Sequence, residues 1–270
     1  MKKIALVTGA SAGIGMVTAK YLANNEYTVY GAARRIERMN DLVQFGIKII
    51  RMDVTNDDSM VAAVDEIVKN EGRIDVLVNN AGFGLYGAVE EVSMEDARYQ
   101  MEVNVIGLAR LTQLIIPHMR RQQSGKVVNI TSIGGKITTP MGAWYHASKF
   151  AVEALSDGMR MELKPFGIDV IVIEPGGVKS EWSDIAMENL MKSSGNGPYR
   201  NTAEKMFKLN NKFEKRNAEP SVIAELILKS IMAQRPKTRY HAGFMAGPVL
   251  IARKILSDKQ FDKIIMSQVK

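Results

Sequence analysis

The chain has 270 residues, 46% hydrophobic and 24% charged, the balance of an ordinary globular protein. It carries no cysteine, which excludes disulfides, thiolate metal sites and a cysteine nucleophile and suits a reducing cytoplasm. The net charge of +7 is scattered along polar faces without long runs or interleaved aromatics, so it reads as solvated surface rather than a nucleic-acid footprint.

The opening Met1 to Val7 imitates a signal peptide, but Thr8 and Gly9 end its apolar run early. No later run reaches membrane-spanning length, and the expected location is cytoplasmic. Strands are predicted at 3–7, 28–32, 48–51, 74–78, 126–131 and 169–173. Helices are predicted between and after them at 14–24, 57–70, 94–122 and 145–164. Such βα alternation specifies an α/β fold, a doubly wound parallel sheet with helices on both faces. A further helix is expected from Pro220 to about 234, then a short strand at 238–241. One domain is expected over 1–270, with an insertion at 180–218 and a C-terminal tail over 235–270.

The first strand runs into Thr8-Gly9-Ala10-Ser11-Ala12-Gly13-Ile14-Gly15, and a helix starts inside that motif. Glycines there let backbone amides approach a pyrophosphate whose charge sits at the positive end of the helix. The strand–glycine–helix context makes dinucleotide binding the reading, against a merely tight turn. At the end of the second strand, NAD-preferring folds place a carboxylate on the ribose hydroxyls. This chain has Ala32-Ala33-Arg34-Arg35 instead, and Arg34 offers a planar fork to a 2′-phosphate. NADP(H) is therefore favoured over NAD(H); Arg35 and Arg38 read as exposed helix-start residues.

The stretch 129–149 carries the reactive chemistry. Ser132 stands where the fifth strand ends, a loop with Gly134, Gly135 and Pro140 follows, and a helix begins near Tyr145. Tyr145 and Lys149 are four residues apart, so their side chains share a helix face. A cation near the phenol favours phenolate and makes the tyrosine a usable proton donor or acceptor. Ser132 would hold the oxygen that receives the proton. A chance tyrosine–lysine pair at this spacing is common, so the weight lies in the surrounding motifs.

Those motifs are the glycine loop, Asp53-Val54, Asn79-Asn80-Ala81-Gly82, Asn104, Ser132, Tyr145-x-x-x-Lys149 and Pro175-Gly176. In that order and spacing, over almost the whole chain, it resembles the short-chain dehydrogenase/reductase family in its compact, hydroxysteroid-dehydrogenase-like branch. The resemblance implies a Rossmann fold and an NAD(P)-dependent oxidoreductase that interconverts a carbonyl and a secondary alcohol. It implies that Tyr145 is the acid/base, Ser132 its partner on the substrate oxygen, and Asn104 the anchor of a water in a proton relay. Lys149 would hold the nicotinamide ribose and lower the Tyr145 pKa. Gly9, Ser11, Gly13, Ile14 and Gly15 would meet the pyrophosphate, Asp53 and Val54 the adenine, and Asn80, Ala81 and Gly82 the adenine ribose region. Pro175, Gly176 and Val178 would meet the nicotinamide. Ser180 stands where the family often has threonine, and Ala12 where some NADP-preferring members have a basic residue. Bland alternatives are that Asp53 only closes a turn before a helix and that Asn79-Asn80 only makes one.

His118, His146 and His241 lack metal-ligand spacing, and no metal is expected. His146 is expected to face away from Lys149 in a supporting or surface role. The segment 180–218 combines the glycine-rich 193–198 with Trp182, Met187, Leu190, Met191, Met206 and Phe207. It is expected to act as a mobile lid that, with 175–177 and 137–143, walls a pocket for a bulky apolar, steroid- or lipid-like small molecule. A permanently ordered helix pair is the competing view. The resemblance also implies a homodimer or homotetramer built partly from the 94–122 and 145–164 helices. Two other functions fit the sequence less well: an idle NADP(H)-sensing regulator, which would need only the cofactor half, and a sugar-nucleotide epimerase, which ordinarily has a longer chain and other glycine spacing.

Overall fold

The computed structural model describes residues 2–269; Met1 and Lys270, the outermost residues of the expected domain and tail, lie outside that range. Seven strands form one parallel sheet. They are β1 (Ile4–Thr8), β2 (Thr28–Ala33), β3 (Lys48–Arg51), β4 (Val76–Asn79), β5 (Gly125–Ile130), β6 (Ile168–Pro175) and β7 (Arg239–Ala242). Their spatial order is β3-β2-β1-β4-β5-β6-β7. The chain builds outward from β1 to β3, then returns to lay β4 on the other side of β1. This reversal opens a crevice beyond the carboxyl ends of β1 and β4, where open α/β sheets bind ligands.

Both faces of the sheet are covered, so its strands are apolar throughout rather than alternating. Ile4, Leu6, Tyr30, Leu77 and Val127 point to one face, under α2 (Asp57–Glu71), α4 (Gly107–Gln122) and part of α5 (Ala143–Leu163). Ala5, Val7, Val29, Val78 and Val128 point to the other, under α1 (Gly13–Ala23) and α8 (Pro220–Met232). The sequence patterning locates all seven strands and these helices to within two residues. The predicted 94–122 helix is one rod with a fault in it: α3 (Met94–Met101) passes through a π-helical turn, Glu102–Ile106, into α4. Such turns shift the backbone hydrogen-bond register and favour functional positions. Asn104 sits in this one.

The 180–218 segment forms two helices, α6 (Glu181–Ser194) and α7 (Arg200–Glu214), whose Ala186, Met187, Leu190 and Ala203 share a small core with Ala88 and Met141. The expected glycine hinge between them is packed: Ser194 is fully buried and its Oγ accepts the Ala88 N–H at 2.9 Å. The tail folds into α9 (Ala246–Ile255) and α10 (Asp258–Ser267). Among the described residues no helix is long and apolar enough to cross a membrane.

Candidate active site

A cleft of about 900 Å³ runs along the carboxyl ends of the strands. Its cofactor end is made by backbone. Gly9 and Gly13 have positive φ values of 66° and 53°, which L side chains adopt at a cost. A Cβ on Gly15 would come within 2.4 Å of the Gly9 carbonyl, so the first turn of α1 closes onto the loop only with glycine there. Gly15 itself does not line the cleft; Gly9, Ser11, Gly13 and Ile14 do. The Ala12 N-cap gives α1 no side-chain capping bond, and its first turn holds no acidic residue. Amide hydrogens at that helix start thus face the cleft without an internal partner, the requirement for a pyrophosphate.

Asn80 secures this loop: its side chain donates to the Thr8 carbonyl at 2.9 Å, and Thr8 Oγ1 accepts the Asn80 and Ala81 amides at 3.0 and 2.9 Å. Asn79 points inward and donates to Thr112 and Asn129. The Asp53 carboxylate accepts the Thr55 amide at 2.9 Å and hydroxyl at 2.8 Å, so it does close a turn, while it and Val54 also line the cleft. The rod of α4 runs so close to Val54 that a Cβ on Gly107 would lie 2.2 Å from its carbonyl oxygen. Arg34 is exposed at the cleft rim and donates to the Tyr99 hydroxyl at 2.6 Å. Ala81, Gly82, Pro175, Gly176, Val178 and Ser180 complete the lining. Ser180 starts α6 without a capping bond from its hydroxyl. Arg38 is exposed at the start of the Ile36–Phe45 helical segment, as expected, and bridges to Glu181 of α6 at 2.8 Å.

At the reactive end the structure brings Ser132, Tyr145 and Lys149 onto the same cleft wall. Ser132 Oγ accepts the Gly134 amide at 3.0 Å, makes a long 3.4 Å contact to the Pro175 carbonyl, and faces the Tyr145 phenol. Lys149 is buried, donates to the Ile130 carbonyl at 3.0 Å, and lies 6.0 Å from the centre of the Tyr145 ring. Burial lowers the Lys149 pKa to about 8, with the charge of Glu153 opposing the shift. The expected depression of the Tyr145 pKa is not what this state shows. Burial pushes the phenol up to about 12, and the hydrogen bond from Ser132 is what lowers it. At its present distance the lysine does not overcome desolvation.

Asn104 stands elsewhere. It is buried and off the cleft; its side chain donates to the Phe83 carbonyl at 2.9 Å and to Ser148 at 3.0 Å, and accepts the Phe83 amide at 3.0 Å. With both amide hydrogens engaged, that side chain staples the 82–84 wall to α5.

His146 is buried rather than at the surface, where its ring nitrogens pair with the Gly134 carbonyl and Thr139 Oγ1, both at 3.0 Å. Burial lowers its pKa, and the ring fixes the loop that follows Ser132. Sequence reading missed Tyr86, which stacks on Tyr145 at 5.6 Å while Trp182 covers the same ring at 4.9 Å. It also missed that the tail helps build the cleft, through Phe244, Met245, Val249 and Ile264. An apolar tail following the last strand is the one signal that pointed there.

Residues 3–190 match the family model described as short chain dehydrogenase. The chain is 35% identical over 242 residues to a 3-ketodihydrosphingosine reductase of Bacteroides thetaiotaomicron, covering 89% of this chain and 88% of that one. It is 34% identical over 287 residues to an NADPH-dependent 3-dehydrocapnine reductase of Ornithobacterium rhinotracheale, covering 99% and 98%. A short-chain dehydrogenase from Streptomyces avermitilis superposes with a TM-score of 0.81 at 31% identity, over 99% of this chain and 94% of that one. Other solved proteins of this fold are described in complex with NADP or with NAD. The glycine cradle at an uncapped helix start fits such a dinucleotide, and the Ser132–Tyr145–Lys149 wall fits carbonyl and alcohol chemistry. The chain belongs to the short-chain dehydrogenase/reductase family of nicotinamide-dependent oxidoreductases.

Proposed function

We propose that this protein is an NADP(H)-dependent reductase of a bulky, largely apolar, lipid-like ketone, with Tyr145 as the acid/base. The observation that carries the reading is one continuous cleft. It holds the glycine cradle and Arg34 at one end, the Ser132–Tyr145–Lys149 wall in the middle, and an apolar chamber at the other end. Arg34 with no carboxylate beside it favours a 2′-phosphate, and one close relative is named as NADPH-dependent. Trp182, Met187, Met206, Phe213 and Phe244 line the chamber, a surface suited to hydrocarbon rather than to a polyhydroxylated sugar. The relative named for 3-ketodihydrosphingosine acts on such a molecule, a long-chain ketone.

The bound nicotinamide would supply or accept a hydride at the carbonyl carbon. Ser132 Oγ–H donates a hydrogen bond to the carbonyl oxygen and orients it. Tyr145 delivers its phenolic proton to that oxygen as charge develops there. The Lys149 ammonium stabilises the phenolate left behind, and Trp182 and Tyr86 keep bulk water from the ring. A panel of short and long ketones, followed at the nicotinamide absorbance with NADPH and with NADH, tests this reading. The expected result is turnover of long-chain ketones with NADPH; a clear preference for sugars or for NADH would refute it.

We also infer a homodimer. Ile106 in the π-turn and Phe150, Leu155 and Met161 on α5 are 51%, 43%, 37% and 67% exposed, an apolar surface that a second copy would cover. Sedimentation of a monomer at micromolar concentration would reject it.

A further inference from the structure

Behind the catalytic wall lies a charge cluster that no step above uses. Glu153 follows Lys149 by one turn of α5 and is only 4% exposed. Its Oε1 accepts the Thr131 hydroxyl at 2.7 Å, next in sequence to Ser132. Its Oε2 is held by Lys136 at 2.7 Å, from the loop after β5, and by Arg239 at 3.0 Å, from β7. Glu174, the residue before Pro175, is 3% exposed and faces the same two cations at 4.0 and 3.7 Å. Among the described residues its Oε1 has no hydrogen-bond partner. Asp157 shares Arg239 at 2.8 Å and is also bonded by Arg160. The cluster therefore touches the strand end before Ser132, the helix of Lys149 and the turn at Pro175.

We propose that Glu153 is the counter-charge that keeps the Lys149 ammonium protonated, and that Lys136 and Arg239 set how much of its charge Lys149 feels. The physical need is plain. Lys149 is buried with one carbonyl partner, and a buried ammonium without an opposite charge neutralises itself. Glu153 lies one turn along α5 from Lys149, not in a direct ion pair with it but with its oxygens on Thr131, Lys136 and Arg239, and from there its charge opposes the lowering that burial causes. The two cations on Glu153 pull the other way, because their positive charge lies on the same carboxylate. Glu174 offers them a second, poorly satisfied acceptor; burial and the neighbouring Glu153 raise its pKa to about 7. Glu153 is thus a positioning residue, acting on the reaction through Lys149. This inference rests on the reading that Lys149 serves proton transfer.

The test reads Lys149 directly and needs no substrate. In protein carrying lysine labelled with carbon-13 at Cε, the resonance absent from Lys149→Met reports its titration. Glu153→Gln should move the midpoint down by about one pH unit, roughly tenfold in proton affinity, as expected when an opposite charge is removed. Lys136→Met, at a half-exposed position that can tolerate change, should move it up, since Glu153 then has one cation fewer. Glu153→Asp, which keeps the charge, should stay closer to the parent than Glu153→Gln. A purely structural role predicts no such opposed shifts. An unchanged midpoint in folded Glu153→Gln, or a downward shift in Lys136→Met, overturns the proposal, and the second variant decides alone if the first does not fold. If Tyr145→Phe keeps near-normal turnover, the proposed function has failed; if it is inactive while Lys149 titrates identically in all variants, only this inference has.

Discussion

The two ends of the cleft are built on different principles. The cofactor end is backbone: Gly9, Gly13 and Gly15 at the start of α1, the Thr8–Asn80 staple, and the close pass of Gly107 under Val54. The substrate end is side chains gathered from distant segments: Tyr86, Trp182, Met206, Phe213 and Phe244, which come together only because α6, α7 and the segment after β7 fold over the sheet. A pyrophosphate is the same in every dinucleotide and can be met by amides at fixed spacing. A substrate differs between enzymes, and its wall can be rebuilt from other side chains without disturbing the sheet.

The sharpest break between the two ends is expected from Tyr145→Phe. The ring keeps its packing against Tyr86 and Trp182 but loses the proton, so turnover should fall by about a hundredfold to ten-thousandfold. NADPH affinity should barely change, since the phenyl group still fills its place. If isothermal titration shows cofactor binding falling with turnover, the ends are coupled and the comparison is wrong.

Arg34→Ala acts on the other end alone. Losing a charge-assisted fork to phosphate is worth about 1.5–3 kcal/mol, or roughly tenfold to a hundredfold in NADPH affinity. NADH affinity should hold. Equal losses for both cofactors would mean that Arg34, through its 2.6 Å bond to Tyr99, supports the wall rather than reading the phosphate.

This contrast also decides what was legible in the sequence. Seven strands follow local rules of spacing and are recovered by periodicity, while the glycine loop and the Tyr145–Lys149 pair are recovered by the motifs around them. The π-turn at Glu102–Ile106 does not, and the contact made from it is tertiary: Asn104 reaches across to Phe83, 21 residues away in sequence. Arg239 meets Glu153 across 86 residues, and nothing in either segment announces the partner. His146 is expected in a supporting or surface role, and which of the two it has depends on its partners, the Gly134 carbonyl and the Thr139 hydroxyl, on a loop whose path only the fold defines. The 193–198 stretch looked like a hinge by composition, yet Ser194 is locked to Ala88. Limited proteolysis should accordingly be slow there even without ligands; rapid cutting in the free protein would restore the mobile lid.

A change of pH separates the ends without mutation. Lys149 titrates at about 8, lowered from the ordinary lysine value by burial. Its charge is present below that pH and lost as pH rises through it. Turnover should therefore decline about tenfold per pH unit well above 8, while NADPH affinity, set largely by Arg34 and backbone amides, declines less. Parallel pH profiles of kcat and of NADPH binding check this, and a flat kcat from pH 7 to 10 would remove Lys149 from the proton transfer.

The smallest expected effect probes the apolar chamber itself. Phe244 follows β7, lines the cleft, and stacks on Phe213 of α7 at 5.5 Å, so it closes the chamber between the C-terminal segment and α7. Phe244→Ala removes wall that only a long substrate would touch. Its cost on kcat/KM should be about tenfold for a long-chain ketone, the order of 1–2 kcal/mol for a partly buried aromatic contact. A short ketone, held at Ser132 and Tyr145 alone, should lose less than about twofold, and NADPH affinity should not move. The comparison of chain lengths makes the measurement specific. Equal losses for short and long ketones would show that Phe244 braces the Pro175–Gly176 turn, whose Gly177 amide bonds the Phe244 carbonyl at 3.0 Å, rather than contacting the chain. In that case the chamber ends nearer Trp182, and the substrate is compact instead of extended.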